Sequence, residues 1–290
     1  MIMGTASGVG KTALATALCR IFRQDGYKAA PFKSQNMTPN TALTENGDEI
    51  AVSQMLQAHA AGAEPGADMN PLILKPGAGP TSLYSKIQVI LNGRYFGTVD
   101  GQSFKNVRKD MMRHISAAYS RLASAYDVIV VEGAGSPVEL NLKRNDIVNM
   151  GVAKLINAPV MLAADIDRGG AFAALYGTIG LLEDSERKYI KAVIINRFKG
   201  DTAYFADGVK IIEKITGTPV AGIVPYIPFT LPEEDAGAGG RGGGFSAVDR
   251  GNATDISDID FINAQIDVLA AGVRKALDMK LVYDILNGGV

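Results

Sequence analysis

The chain predicts an α/β fold: a mostly parallel sheet of the P-loop NTPase type with helices on both faces, plus a C-terminal helix. Three observations carry that prediction. Apolar runs of strand length alternate with helical patterns from residue 1 to about 225. A glycine-rich loop, Gly4-Thr5-Ala6-Ser7-Gly8-Val9-Gly10-Lys11-Thr12, joins the first run to the first helical pattern. Four β-branched residues, 128–131, end in the carboxylate of Glu132. Alternation of this kind requires crossover connections, which lay helices on both faces of a parallel sheet.

Taken in order, Met1 to Gly4 reads as a short buried strand, and the loop after it has phosphate-binding chemistry. Its glycines let the backbone curl so that successive N–H groups face an anion, Lys11 reaches the β- and γ-phosphates, and the Thr12 hydroxyl can ligate Mg²⁺. Gly8, Val9, Gly10, Lys11 and Thr12 are therefore candidate nucleotide-binding residues. The loop is one residue longer than G-x-x-x-x-G-K-[ST], with glycine at position 4 and threonine at position 5. A helical stretch follows over 11–24, then a strand from Lys28 to Phe32. Lys33-Ser34-Gln35-Asn36-Met37 puts a lysine and two amides at the end of that strand, and Asp48-Glu49 opens a helical stretch over 49–62.

Lys86 to Leu91 reads as the next strand. Over 103–126, Phe104, Val107, Met111, Ile115, Ala118 and Leu122 recur at three- and four-residue intervals, which makes one apolar helical stripe. Val128 to Val131 is a strand, and Glu132 stands where P-loop proteins hold a second Mg²⁺ contact; a helix-initiating acid is the structural alternative. Asn141-Leu142-Lys143-Arg144-Asn145-Asp146 is a polar loop before an apolar helix, with Asn145 or Asp146 as a candidate N-cap. Strands at Pro159 to Ala163, Ala192 to Asn196 and Val220 to Val224 alternate with helical stretches over 169–182 and 203–216. In such sheets ligands gather at the carboxyl ends of the strands.

Composition narrows the function. With 290 residues and 47% hydrophobic content, one large domain, or a domain with an appendage, can bury a proper core. No run approaches the roughly 20 apolar residues of a membrane span and no signal peptide precedes the loop, so a soluble, cytoplasmic chain without membrane partners is expected. A net charge of -1 without a long basic run argues against a nucleic-acid surface. A single cysteine excludes an internal disulfide, and Cys19, set among Ala17, Leu18, Ile21 and Phe22, reads as a buried packing residue. His59 and His114 lie far apart, so a histidine metal cluster or a Ser-His-Asp triad has little material.

Six ordered motifs carry a family resemblance. They are the glycine loop, Lys33 to Met37, Asp68-Met69-Asn70-Pro71-Leu72-Ile73-Leu74-Lys75-Pro76, Glu132-Gly133-Ala134-Gly135-Ser136-Pro137, Asn145-Asp146-Ile147-Val148-Asn149-Met150-Gly151, and Ile195-Asn196-Arg197-Phe198-Lys199-Gly200-Asp201. Together, over residues 1 to about 235, they resemble the cobyric acid synthases, the glutamine-dependent amidases of cobalamin synthesis. The synthetase domain of that family is similar to dethiobiotin synthetase, whose phosphate loop has the same extra residue.

The resemblance implies ATP-dependent amidation of the b, d, e and g carboxylates of adenosylcobyrinic acid a,c-diamide, with Mg²⁺. It implies that Lys11 and Lys33 offset charge on the γ-phosphate and the incoming carboxylate, and that Thr12, Glu49 and Glu132 hold the metal. Asn196 would read the adenine edge and Asp146 would handle substrate or intermediate. Lys75, Lys143, Arg144 and Arg168 are either partners of a polycarboxylate corrinoid or solvated surface charges. Members of the family carry a C-terminal glutaminase domain with a nucleophilic cysteine and a histidine, and this sequence has neither beyond position 114.

The expected organisation is a synthetase domain over 1–235, a glycine-rich linker over 236–255 in place of the glutaminase, and a helical tail over 256–290 similar to the family's C-terminal tail. Ammonia, free or supplied by a separate glutaminase, is the expected nitrogen source, and a homodimer is compatible with the sequence. A dethiobiotin-synthetase-like ligase shares the loop and fold. A nucleotide-switched partitioning or scaffold ATPase usually carries an early loop lysine, where this chain has Thr5, Ala6 and Ser7. An inactive ATP-binding remnant is a further alternative.

Overall fold

The computed structural model describes residues 1–76, 86–232 and 258–289. The glycine-rich tract expected as a linker over 236–255 lies outside them. The strands are β1 (Ile2–Gly4), β2 (Ala29–Phe32), β3 (Gln35–Met37), β4 (Thr41–Leu43), β5 (Glu49–Ala51), β6 (Leu72–Pro76), β7 (Ile87–Leu91), β8 (Arg94–Val99), β9 (Val128–Val131), β10 (Val160–Asp165), β11 (Ile190–Phe198) and β12 (Val220–Pro225). The α-helices are α1 (Lys11–Gln24), α2 (Val52–Ala61), α3 (Gly101–Ala125), α4 (Met150–Leu155), α5 (Ala171–Leu181), α6 (Asp184–Arg187), α7 (Ala206–Thr216), α8 (Ile259–Ala276) and α9 (Met279–Leu286).

Among the described residues, six parallel strands lie side by side in the order β2, β9, β1, β10, β11, β12. A single bridge between Ile2 and Glu132, with Gly133 N–H donating to the Ile2 carbonyl at 2.9 Å, joins β9 to β1. Successive residues of the central strands face two different apolar clusters. Ile2, Ala163 and Ile194 pack with α1, α2, α3 and α8, whereas Met3, Leu162 and Ile195 pack with α4, α5 and α7. Because both faces are covered, these strands read as continuous apolar runs rather than alternating ones. That burial is why the parallel sheet is visible in the sequence.

Several expectations are corrected. Lys86 to Leu91 does not join the parallel sheet: Ile87–Leu91 lies in a second sheet, ordered β3, β6, β7, β8, where β6, β7 and β8 run antiparallel. Leu72–Pro76 and Arg94–Val99 are strands that the alternation does not announce. The edge strand β8 exposes Tyr95 and Phe96, so no buried face patterns it. The helical stretch expected from residue 49 starts at Val52, because Glu49–Ala51 pairs antiparallel with β4.

The tail is two helices rather than one. Asp278 N–H donates to the Ala221 carbonyl at 2.7 Å and Leu277 bridges Gly222, which ends α8 on the edge of β12. The Asp278 carboxylate then accepts from Leu281 N–H at 3.1 Å and starts α9. Ile262, Ile266, Leu269 and Val273 form the buried stripe of α8 and pack against α1.

Candidate active site

The loop between β1 and α1 has the backbone conformation that its glycines allow. Gly8 (φ 73°) and Gly10 (φ 94°) lie in the left-handed region, where a side chain would be strained. Gly4 has no room for a side chain, since a Cβ there would come within 2.5 Å of Val9 Cγ2. Gly10 opens α1, so the helix N-terminus and its free N–H groups point at the loop. Lys11 is buried, and its Nζ donates to the Ala6 carbonyl at 2.9 Å and the Gly135 carbonyl at 3.0 Å. The lysine therefore spans the loop's concavity, ready to exchange carbonyl oxygens for phosphate oxygens.

Glu132, at the exit of β9, is 1% exposed and gathers three partners. Its Oε1 accepts from Thr12 Oγ1 at 2.9 Å and from Lys33 Nζ at 2.9 Å, while its Oε2 accepts from Gln57 Nε2 at 2.6 Å. Four elements thus converge on one carboxylate: the start of α1, the end of β2, α2, and the end of β9. The structure brings Lys11, Thr12, Lys33 and Glu132 together at the carboxyl edge of the sheet. Thr12 and Glu132 present a hydroxyl and a carboxylate oxygen side by side, a donor set that suits a hard divalent cation completed by phosphate oxygens.

Asn196, at the end of β11, donates from Nδ2 to the Val9 carbonyl at 2.8 Å, and its buried Oδ1 has no hydrogen-bond partner among the described residues. Its neighbour Arg197 adopts φ 61°, an uncommon conformation for a non-glycine residue. This irregularity within β11 places Asn196 against the loop and the buried Arg197 on Asp165, whose Oδ2 accepts from Arg197 Nη1 at 2.8 Å.

Glu49 and Asp146 are placed differently. Glu49 accepts from Thr41 and Lys75, and among the described residues none of its hydrogen bonds reaches Thr12 or Glu132. Burial alone would raise its pKa, but the Lys75 and Thr41 hydrogen bonds hold it below the usual glutamate range. The Asp146 carboxylate takes three backbone N–H groups, of Val148, Asn149 and Gly151, at 2.8 to 3.0 Å, and so caps the approach to α4. It also lines a cleft of about 310 Å³ together with Met112, Lys143, Arg144, Lys154 and Glu186. There Lys143 and Lys154 both pair with the buried Glu186, at 2.7 and 3.1 Å.

Gln57, Asp165 and Arg197 are site residues that the sequence reading did not single out. The signal for Gln57 was the run Ser53, Gln54 and Gln57 on a helix whose other residues are mostly apolar; all three are buried. Cys19 lies in the core at 0% exposure, where burial and the charge of Glu132 push its thiol pKa up. The described residues hold no group of three or more His, Cys, Asp or Glu side chains able to bind a metal, and no helix among them is long and apolar enough to cross a membrane.

A six-stranded parallel sheet, a glycine loop opening a helix, and a carboxylate held against the loop threonine define a nucleotide-binding P-loop protein. Residues 1–235 match the family described as the CobQ/CobB/MinD/ParA nucleotide binding domain, and the chain belongs to that family. It is 49% identical to the cobyric acid synthase of Photorhabdus laumondii subsp. laumondii over 235 residues, which are 81% of this chain and 45% of that protein. With the cobyric acid synthase of Salmonella gallinarum the identity is 44% over 284 residues, 95% of this chain and 55% of the relative. The similarity to cobyric acid synthases drawn from the six motifs is therefore borne out. The chain spans about half the length of the curated relatives it matches. Among solved structures, the MinD cell division protein of Aquifex aeolicus aligns over 94% of each chain with 15% identity and a TM-score of 0.43.

Proposed function

We propose that this chain is an ATP-dependent amidoligase acting on the b, d, e and g carboxylates of adenosylcobyrinic acid a,c-diamide. The observation that carries the reading is the convergence of Thr12, Lys33 and Gln57 on Glu132 beside the glycine loop. Similarity to cobyric acid synthases supplies the substrate class. A carboxylate is a poor electrophile, so it is first phosphorylated: its oxygen attacks the γ-phosphorus of ATP and the bond to ADP breaks. Ammonia then attacks the acyl carbon, phosphate leaves, and a proton is released with the amide.

In this reading the chain contributes positioning and charge. The N–H groups at the start of α1 and Lys11 Nζ hold the phosphates. Thr12 and Glu132 would hold Mg²⁺, which would supply neutralisation of phosphate charge. Lys33, anchored on Glu132, faces the incoming carboxylate, and Asn196 meets the adenine edge. Glu49, whose carboxylate also holds Lys75, is a further proposed metal holder, and Asp146 is proposed to handle substrate or intermediate at the cleft it lines. Ammonia, free or from a separate glutaminase, is the proposed nitrogen donor, and Cys19, buried in the core, is not a candidate nucleophile. Residues 1–235 are the proposed synthetase unit, against which the C-terminal helices pack. The partitioning-ATPase alternative gains no support from the loop, where Thr5, Ala6 and Ser7 replace the early lysine.

The test is ATP consumption coupled to mass analysis of adenosylcobyrinic acid a,c-diamide, with ammonium chloride or glutamine as donor. Stepwise replacement of OH by NH₂ with ammonium chloride alone is expected. Turnover with glutamine alone would overturn the nitrogen assignment. Tight nucleotide binding without turnover on either donor would identify an inactive remnant.

A further inference from the structure

We propose that Arg168 is a catalytic residue whose guanidinium contacts the terminal phosphoryl group of a nucleotide held in the glycine loop, with Asp165 as its positioning residue. The inference rests on the reading of that loop as the site of phosphoryl transfer. It assigns Arg168 to phosphate rather than to a corrinoid carboxylate or to bulk solvent.

Three observations converge. Arg168 leaves β10 in the turn Asp165-Ile166-Asp167-Arg168-Gly169-Gly170, on the strand next to β1, and its Nη2 lies 3.8 Å from where a Cβ on Gly8 would stand. No other heavy atom of the described residues comes within 4 Å of that point, apart from Gly8 itself and its chain neighbours. Gly8 is a left-handed glycine in the anion-binding curl, so the guanidinium hangs over the place where phosphate oxygens sit.

The second observation is how the arginine is held. Asp165, with a side chain only 5% exposed, is fixed by Arg197 Nη1 at 2.8 Å and by its own acceptance of Asp167 N–H at 2.9 Å. The same Oδ2 meets Arg168 Nε at 3.5 Å. The contact uses Nε and turns the Nη end toward Gly8. Gly169 (φ 78°) and Gly170 (φ 73°) both sit in the left-handed region, which lets the chain double back into α5 directly after the arginine.

The third is charge. Asp165 carries one negative charge and faces two guanidiniums, while Lys199 and Asp167 balance each other at 2.8 Å. Arg168 thus adds a second cation beside a loop that already holds Lys11. Two cations flanking one concavity lower their mutual repulsion when an anion sits between them. The Arg168 side chain is 56% exposed, so it can close onto a phosphate without breaking a buried contact. A planar fork of donors matches the equatorial oxygens of a transferring phosphoryl group better than a point charge does.

The experiment compares wild type, Arg168→Ala and Arg168→Lys in two assays. The first is calorimetric titration with ATP and with ADP; the second is ammonia-dependent turnover of the corrinoid. For Arg168→Ala, kcat is expected to fall by about 100-fold or more, with ADP affinity and corrinoid KM unchanged and the preference for ATP over ADP reduced. Added guanidinium ion should restore part of the rate, and Arg168→Lys should recover ATP affinity more fully than kcat. A rise in corrinoid KM with kcat intact would overturn the proposal in favour of a carboxylate contact. If the wild type turns over no corrinoid, the amidoligase reading fails by itself. The ATP-over-ADP preference then decides Arg168, and an unchanged preference in Arg168→Ala overturns the proposal.

Discussion

Glu132 couples stability to the proposed chemistry, because the carboxylate beside Thr12 is also the counter-ion of a buried lysine. Lys33 has a side chain 6% exposed, and Glu132→Ala takes its carboxylate away. Removing one partner of a buried pair typically costs about 3 to 5 kcal/mol. Glu132→Ala is therefore expected to shift urea unfolding by that order as well as to abolish amidation. Glu132→Leu combined with Lys33→Met should recover much of the stability and none of the turnover. A double variant destabilised by the sum of the two single changes would show that the pair is not energetically coupled. Cys19 gives the opposite expectation. Its thiol, pushed upward by burial, should stay inert to thiol reagents at neutral pH until the protein unfolds. Cys19→Ser should leave ammonia-dependent turnover intact while costing about 1 to 3 kcal/mol for a hydroxyl buried among apolar groups. Rapid labelling of the folded protein would contradict that placement. The sequence showed Thr12 because it closes the Gly-Lys-Thr loop, and Lys33 and Glu132 because each follows a strand-length run. It did not show Gln57, whose role depends on a contact between residues 75 positions apart.

At the scale of elements, Glu186 ties together three short pieces that no single pattern defines. It closes the capping box of α6 with Glu183, and accepts from Lys143 in the loop before α4 and from Lys154 at the end of α4. Burial by itself would raise its pKa, but the lysine hydrogen bonds and the Glu183 N–H hold it below the usual glutamate range. A carboxylate lowered in the folded state contributes stability above its ordinary value. That contribution is lost as the pH falls through the ordinary value toward the lowered one. The melting-temperature gap between wild type and Glu186→Gln should accordingly be present at neutral pH and shrink in acid. A gap independent of pH would mean that the three elements are held by packing alone. Long helices and buried parallel strands were legible because their periodicities are local. The hairpin of β7 and β8 was only half legible, since β8 lies exposed at a sheet edge and carries no alternation. Glu49–Ala51 looked like the first turn of α2 until pairing with β4 claimed it.

Across the whole molecule, the C-terminal helices are part of the nucleotide-binding body. Ile262, Ile266, Leu269 and Val273 share one core cluster with Leu14, Leu18 and Ile21 of the helix that follows the glycine loop. The seam is closed at Gly222, where an added Cβ would stand 2.2 Å from the Ala276 carbonyl oxygen and 2.9 Å from Leu277 Cα. Gly222→Ala should therefore lift α8 and α9 from β12, at about 1 to 3 kcal/mol as overpacking typically costs. Limited proteolysis should then cut between α8 and α9 first; protection equal to wild type would show that β12 can yield instead. The sequence by itself determined the class of sheet, the phosphate-binding loop, the acid at the exit of β9, the burial of Cys19 and the family. Each is written in local spacing or in ordered motifs. Only the tertiary structure decided the order of the strands, the second sheet, the break between α8 and α9, and the meeting of Gln57 with Glu132, of Asn196 with Val9 and of Arg168 with Gly8. The physical reason is distance along the chain. Asn196 and Val9 are 187 residues apart, and their contact follows from how strands stack side by side rather than from the residues near either one.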